Sequence, residues 1–301
     1  MELAPPDLAP WRRGPIPGVV RRESGRPGPH GVLVALVHGN EIAGAIVLDR
    51  LLRGGLAPQR GRLSFVFANL AAFDRFDTND PTASRYVEED LNRLWEPALL
   101  DGPRRSVELD RARALRPVFD SADLLLDLHS MLWQHLPVML CGPTAGGRAA
   151  ARALGTPALV VADGGHPAGP RLIDYPRFTG PAGAPVALLI EGGAHWERAT
   201  EAVLHATTAA FLAEHGFCDL PRPPRLAQRV AEVTQVVVAQ SHHFAFTGPW
   251  RGGEVVPERG TLIALDGEEE IRTPYADCLL VMPALRALRG HTAVRLARFV
   301  E

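Results

Sequence analysis

The 301-residue sequence predicts an α/β fold, a sheet of buried strands covered by helices, followed by a smaller C-terminal β-rich domain. Three observations carry this expectation. Four apolar runs have the length and the β-branched or bulky content of buried strands. Amphipathic stretches lie between them, and the texture of the chain changes after a proline-dense segment.

The first run, VLVALV, ends at Val37. Behind it Gly44, Val47, Leu48, Leu51 and Leu52 repeat at helical spacing, with Asp49, Arg50 and Arg53 on the opposite face and Gly54-Gly55 as a stop. Asn40 is placed to cap that helix. The other runs are LSFVFA ending at Ala68, LLLDL ending at Leu128 and VALLI ending at Ile190. A polar residue follows each of the four at once: His38, Asn69, His129 and Glu191. If the strands run parallel, these residues mark the carboxyl edge, where open α/β sheets build their binding crevice. The segment LPRPPR (Leu220 to Arg225) reads as a linker between a domain over residues 1–219 and a β-rich domain over residues 226–301. In the latter, short runs such as VTQVVVA, LIAL and CLLVM alternate with Gly252-Gly253, Gly260 and Asp266-Gly267.

Composition narrows the function. A net charge of -2 with no long basic run implies neither a nucleic-acid surface nor an anionic-membrane surface. The N-terminal MELAPPDLAPWRRGPIPG lacks the basic start and apolar stretch of a secretory signal, and no run is long enough to span a bilayer, so a cytoplasmic protein is expected. Cys141, Cys218 and Cys278 are odd in number and widely separated, which supports neither a disulfide framework nor a cysteine zinc knuckle. All 32 basic residues are arginine. A chain without lysine has no Walker-A phosphate loop, no Schiff-base lysine and no Ser-Lys nucleophile pair.

Catalytic zinc takes three nitrogen or oxygen ligands and keeps a position open for water. His38-x-x-Glu41 offers two ligands around a glycine bend, and His129, at another strand end, a third, for one zinc ion per chain. The alternative is a hydrogen-bonded His38 with Glu41 as a helix-dipole partner. Asp127 lies two residues before His129, on the same face of a strand, placed to accept from a ligand histidine. Glu191, with Gly192-Gly193 after it, is placed as the base for a metal-activated water. In SRYVEEDLNRLWEP, Arg85 is a candidate to polarise a carbonyl, and Asn92 with Arg93 to hold a carboxylate. The competing reading is a solvated segment in which Glu88, Glu89 and Asp90 neutralise the arginines.

HGNE, SRYVEEDLNR, LLLDLHS and LLIEGG occur in the order and approximate spacing of the succinylglutamate desuccinylase/aspartoacylase family, relatives of the zinc carboxypeptidases, which this chain resembles. TPYADCLLVMP looks like that family's C-terminal β-domain. The resemblance implies a zinc-carboxypeptidase-like mixed sheet, zinc on His38, Glu41 and His129, Arg85 as carbonyl polariser, Asn92 and Arg93 as the carboxylate clamp, and Glu191 as general base and acid. It adds Tyr275 as a residue lining the site. His195 and Trp196, in EGGAHWERAT, depart from the best-known members, and His195 is read as packed or hydrogen-bonded rather than ligating. The arginine that reads the acyl carboxylate in aspartoacylase has no clear counterpart, Arg171 and Arg177 being candidates by position alone.

The expected function is a zinc-dependent deacylase that cleaves the amide of an N-acyl amino acid or a similar small carboxylate. The alternatives are a zinc carboxypeptidase acting on short peptides and a ligand-binding homologue without catalysis. A serine hydrolase fits less well, because there is no G-x-S-x-G elbow around Ser130. The expected partner is the small-molecule substrate, with homo-oligomerisation left open.

Overall fold

The computed structural model describes residues 1–181 and 183–300. Its elements run β1 (Val19–Glu23), β2 (His30–Ala35), α1 (Ile42–Arg53), β3 (Arg62–Phe67), α2 (Leu70–Phe73), α3 (Pro97–Asp101), α4 (Val107–Asp120), β4 (Leu124–Met131), β5 (Val138–Leu140), α5 (Ala145–Leu154), β6 (Leu159–Ala162), β7 (Val186–Ala194) and α6 (Arg198–Glu214). Beyond α6 come β8 (Arg229–Val238), β9 (Phe244–Phe246), β10 (Val255–Val256), β11 (Leu262–Asp266), β12 (Glu269–Arg272), β13 (Cys278–Val281) and β14 (Thr292–Phe299).

The four apolar runs form β2, β3, β4 and β7, and these strands are parallel: β2 pairs with β3 and β4, and β4 pairs with β7. Both faces of this part of the sheet are covered. Leu33 and Ala35 pack with α1 and α6 residues such as Leu48 and Phe211, whereas Val32 and Val34 pack with Leu109, Leu115 and Phe119 of α4. Successive side chains leave a strand on opposite faces, so a strand buried on both is largely apolar, with Ser64 and Asp127 as buried polar exceptions in β3 and β4. β1 and β5 run antiparallel to their neighbours β3 and β7, which makes the sheet mixed.

Beyond α6 the chain is β-rich, and β8, β10, β13 and β14 join the first sheet. β8 pairs in parallel with β6, and one eleven-stranded sheet runs β1-β3-β2-β4-β7-β5-β6-β8-β14-β13-β10. β9, β11 and β12 form a second, three-stranded sheet. The proline-rich segment is tied to the body at its end: Arg225 Nη1 donates to the Ala153 carbonyl at 2.7 Å, and the Leu226 N–H just beyond it to the Gly155 carbonyl at 2.8 Å. Among the described residues, no helix is long and apolar enough to cross a membrane.

Asn40 does not cap α1. The helix starts at Ile42 with Glu41 as its N-cap residue and no capping side chain, and Asn40 Oδ1 is buried without a partner. The Asn40 carbonyl instead accepts the indole N–H of Trp196 at 2.9 Å. The Glu41 carboxylate is likewise turned away from the helix, toward two imidazoles.

Candidate active site

Between β2 and α1 the chain reverses within a few residues. Leu36 adopts a positive φ of 59°, and Gly39 is held where a Cβ would run into the backbone of Ala72 and Phe73. Its N–H donates to the Arg85 carbonyl at 3.1 Å. This tight bend turns His38 and Glu41 toward the end of β4. His38 Nδ1 lies 2.7 Å from Glu41 Oε1, and His129 Nδ1 lies 3.0 Å from Glu41 Oε2. The three side chains offer one ligand atom each, all within 4.8 Å of one another, and all three residues are buried. This is the group found among the described residues that could hold a metal ion.

The outward nitrogens of both rings meet carboxylates. Asp90 Oδ1 is 3.0 Å from His38 Nε2. Asp127 Oδ2 is 2.9 Å from His129 Nε2, at ion-pair distance but outside hydrogen-bond geometry, and both Asp127 oxygens are buried and otherwise unpartnered. Burial opposes charge on Glu41, Asp90 and His129 alike. For Glu41 the imidazoles of His38 and His129 outweigh it and hold the carboxyl well below its usual range. For Asp90, His38 and Arg85 do the same, while Asp127 and Glu41 raise His129 well above the usual imidazole value. Two buried carboxylates and the half-buried Asp90 around two imidazoles, with Nδ1 atoms converging on the Glu41 carboxylate, form a set suited to a divalent cation.

Glu191 stands opposite His129 in the β4–β7 ladder and is buried. Burial, opposed by His129 and reinforced by Glu41, pushes its pKa up to about 8. Arg85 Nη2 donates to Asp90 Oδ2 at 3.1 Å, and its Nη1 lies 3.6 Å from Glu41 Oε1. A cleft of about 250 Å³ brings His38, Glu41, Arg85, Arg93, Glu191 and His195 to one space. A larger cavity of about 660 Å³, lined by Gln134, Pro137, Val203 and Pro249 among others, includes none of these side chains.

Other expected residues lie elsewhere. Asn92 is buried, with its side-chain carbonyl accepting the Leu172 N–H at 2.8 Å. Tyr275 does not line the cleft: its hydroxyl is 2.6 Å from Thr234 Oγ1, and Arg298 stacks over its ring. Arg171 is enclosed by Asp163 and Asp174. Arg177 donates to the Ala122 carbonyl at 3.0 Å and lies 3.7 Å from Asp123, just before the start of β4 and far from its ligand-bearing end. Asn69 caps α2 and binds Glu108.

Sequence reasoning did not find Arg295, whose guanidinium reaches the cleft from β14 beside Arg93 and His166. Burial first, then Arg93, Arg295 and Arg171, lowers His166 to about 3. No local pattern in β14 distinguishes Arg295 from any other strand arginine. Asp90 did carry a signal, standing two residues before Asn92 in a run of polar residues, but charge pattern alone assigns it to neighbouring arginines.

Residues 27–214 match the model of the succinylglutamate desuccinylase/aspartoacylase catalytic domain. A succinylglutamate desuccinylase of Pseudomonas fluorescens is 36% identical over 110 residues, covering 34% of this chain and 30% of that protein. One from Pseudomonas aeruginosa is 33% identical over 109 residues, 34% of this chain and 31% of the relative, so the match spans under a third of these curated proteins. Among solved structures, a succinylglutamate desuccinylase of Vibrio parahaemolyticus aligns with a TM-score of 0.69 at 15% identity, over 95% of this chain and 87% of that one. The product-bound ectoine utilization protein of Ruegeria pomeroyi aligns with a TM-score of 0.63 at 18% identity, over 95% and 89%. At these identities the likeness is one of fold.

Proposed function

Because the chain belongs to the succinylglutamate desuccinylase/aspartoacylase family, we propose that it is a zinc-dependent deacylase that hydrolyses the amide bond of an N-acyl amino acid or a similar small carboxylate. The observation that carries this reading is the convergence of two buried imidazoles and a carboxylate in a cleft that also holds a buried glutamate. His38, Glu41 and His129 would hold one zinc ion. Bound there, zinc supplies a Lewis acid and a water of lowered pKa.

The chain's own groups do the rest. Glu191 takes a proton from the attacking water and returns it to the departing amine; burial already disposes its carboxyl to hold a proton. Arg85 polarises the scissile carbonyl. Arg93 holds the substrate carboxylate, and buried Asn92 braces the backbone around it through Leu172. The names of the relatives make N-succinyl amino acids natural first substrates. The three buried, unpaired cysteines suit the reducing cytoplasm.

The test is a panel of N-acetyl, N-succinyl and N-formyl amino acids with short peptides, assayed with zinc present on wild type and Glu191→Gln. Hydrolysis of acylated amino acids, lost in a variant that retains its zinc, is the expected result. Cleavage of the peptides alone would move the activity to a carboxypeptidase, and full activity in Glu191→Gln would remove Glu191 from the chemistry.

A further inference from the structure

We propose that His195 donates a hydrogen bond from Nε2 to the oxygen of the scissile carbonyl, alongside Arg85; this rests on the deacylase reading above. The residue lies beyond the motifs that carry the family resemblance, and the structure brings it into the cleft by a local device. In the β4–β7 ladder the register moves from His129↔Glu191 to Met131↔Ala194, so β7 gains one residue over its partner. Such a bulge re-aims the side chains after it. The His195 N–H closes the ladder by donating to the Met131 carbonyl at 2.8 Å, and the imidazole turns into the space shared by His38, Glu41 and Arg85.

The ring is anchored through Nδ1. Ser130 Oγ lies 2.7 Å from His195 Nδ1, and that hydroxyl has no other partner among the described residues. In the proposed arrangement the hydroxyl donates to Nδ1, which places the imidazole proton on Nε2. His195 is only 7% exposed, and Nε2 has no partner among the described residues. Trp196 braces it, with ring centroids 5.1 Å apart and its own indole N–H fixed on the Asn40 carbonyl. Burial, helped by the cationic Arg85 and opposed by Glu41, lowers His195 to about 4, so at neutral pH it is an uncharged donor. A neutral imidazole can polarise a carbonyl without bringing in a second full charge next to the metal ligands. An oriented N–H in a water-poor cleft acts most strongly on an oxygen that gains charge as the reaction proceeds.

The experiment compares wild type, His195→Ala, His195→Gln and Ser130→Ala. His195→Ala should lower kcat by about 10²-fold, the usual loss for one donor to a developing oxyanion, with KM and zinc content unchanged. Glutamine places an amide N–H near Nε2 and should recover about a tenth or more of the wild-type kcat. Ser130→Ala keeps the backbone N–H bond to Glu41 but frees the tautomer, and should cost less than His195→Ala. A phosphonamidate mimic of the tetrahedral state should bind His195→Ala more weakly, in proportion to the loss in kcat, with product binding unaffected.

In metal-free protein, nitrogen-15 NMR should show His195 protonated on Nε2; protonation on Nδ1 would overturn the proposal. So would a His195→Ala kcat within about twofold of wild type, or a loss that follows zinc content, since one oxyanion donor is worth far more than that and acts without the ligands. A wild type that hydrolyses no N-acyl amino acid removes the deacylase reading itself. Hydrolysis that is undiminished in His195→Ala removes only this role.

Discussion

Asp90 Oδ1 stands 3.0 Å from Nε2 of His38, the nitrogen that faces away from Glu41. Asp127 takes the corresponding place beside His129 Nε2, at ion-pair distance. A carboxylate beside a ligand imidazole orients the ring and raises its basicity; Arg85 Nη2 lies 2.9 Å from the same nitrogen of His38. Asp90→Asn should therefore weaken zinc binding by about 10- to 100-fold, read by competition with a chromogenic chelator, while Arg85 stays in place through Glu41. Unchanged affinity would reduce Asp90 to a partner of the arginines.

Gly39 is the second point of leverage on the candidate metal site. A methyl group there meets the backbone of Ala72 and Phe73, which has no side-chain freedom with which to yield. Gly39→Ala should lower stability by about 1–3 kcal/mol and, because the bend joins His38 to Glu41, weaken zinc binding as well. Calorimetric unfolding with and without zinc separates the two effects. A variant that melts like wild type in both states would show that the bend relaxes freely.

Arg93 and Arg295 predict opposite behaviour. Arg93→Ala should raise KM by about 10- to 100-fold, the worth of a charge-assisted hydrogen bond, with a smaller effect on kcat. Arg295 Nε is buried and lacks a hydrogen-bond partner, and Asp163, 3.5 Å away, is already held by Arg171. Replacing Arg295 with Met removes a buried charge without stranding an acid, so melting in the absence of substrate should be unchanged or higher. A fall of several degrees would make Arg295–Asp163 a structural pair.

His30 links pH to stability far from the cleft. Its ring lies 2.9 Å from both the Ser121 carbonyl and Ser64 Oγ, and burial lowers its pKa from 6.5 to about 4. Between those values the unfolded chain binds the proton more readily than the folded one, so stability falls as pH drops from 6.5 toward about 4 and is unaffected by His30 above that range. Urea midpoints of His30→Gln should depend less on pH across this window than those of wild type. Equal slopes would assign the acid sensitivity to other buried histidines.

The strands β2, β3, β4 and β7 are legible in sequence because burial on both faces leaves few polar residues, Ser64 and Asp127 among them, before the strand end. For the same reason His38, His129 and Glu191 stand out: each is a polar residue at the end of an apolar run. β5 and β6, three and four residues long, fall below the length at which an apolar run speaks for itself. Asn69 breaks the pattern because a strand end followed by a helix also needs a cap, and Asn serves that purpose. Arg295 and His166 meet only through the closing of a sheet that joins distant parts of the chain, and no spacing along the sequence records that.

The pairing of β8 with β6 also bears on how the molecule can be divided. A chain cut after α6, where the family match stops, would leave the β6 edge that pairs with β8 bare, and an unpaired apolar edge recruits other strands. The residues beyond α6 therefore serve the family-matched part as a shield against self-association, and a shortened fragment is expected to precipitate rather than to work as an independent module.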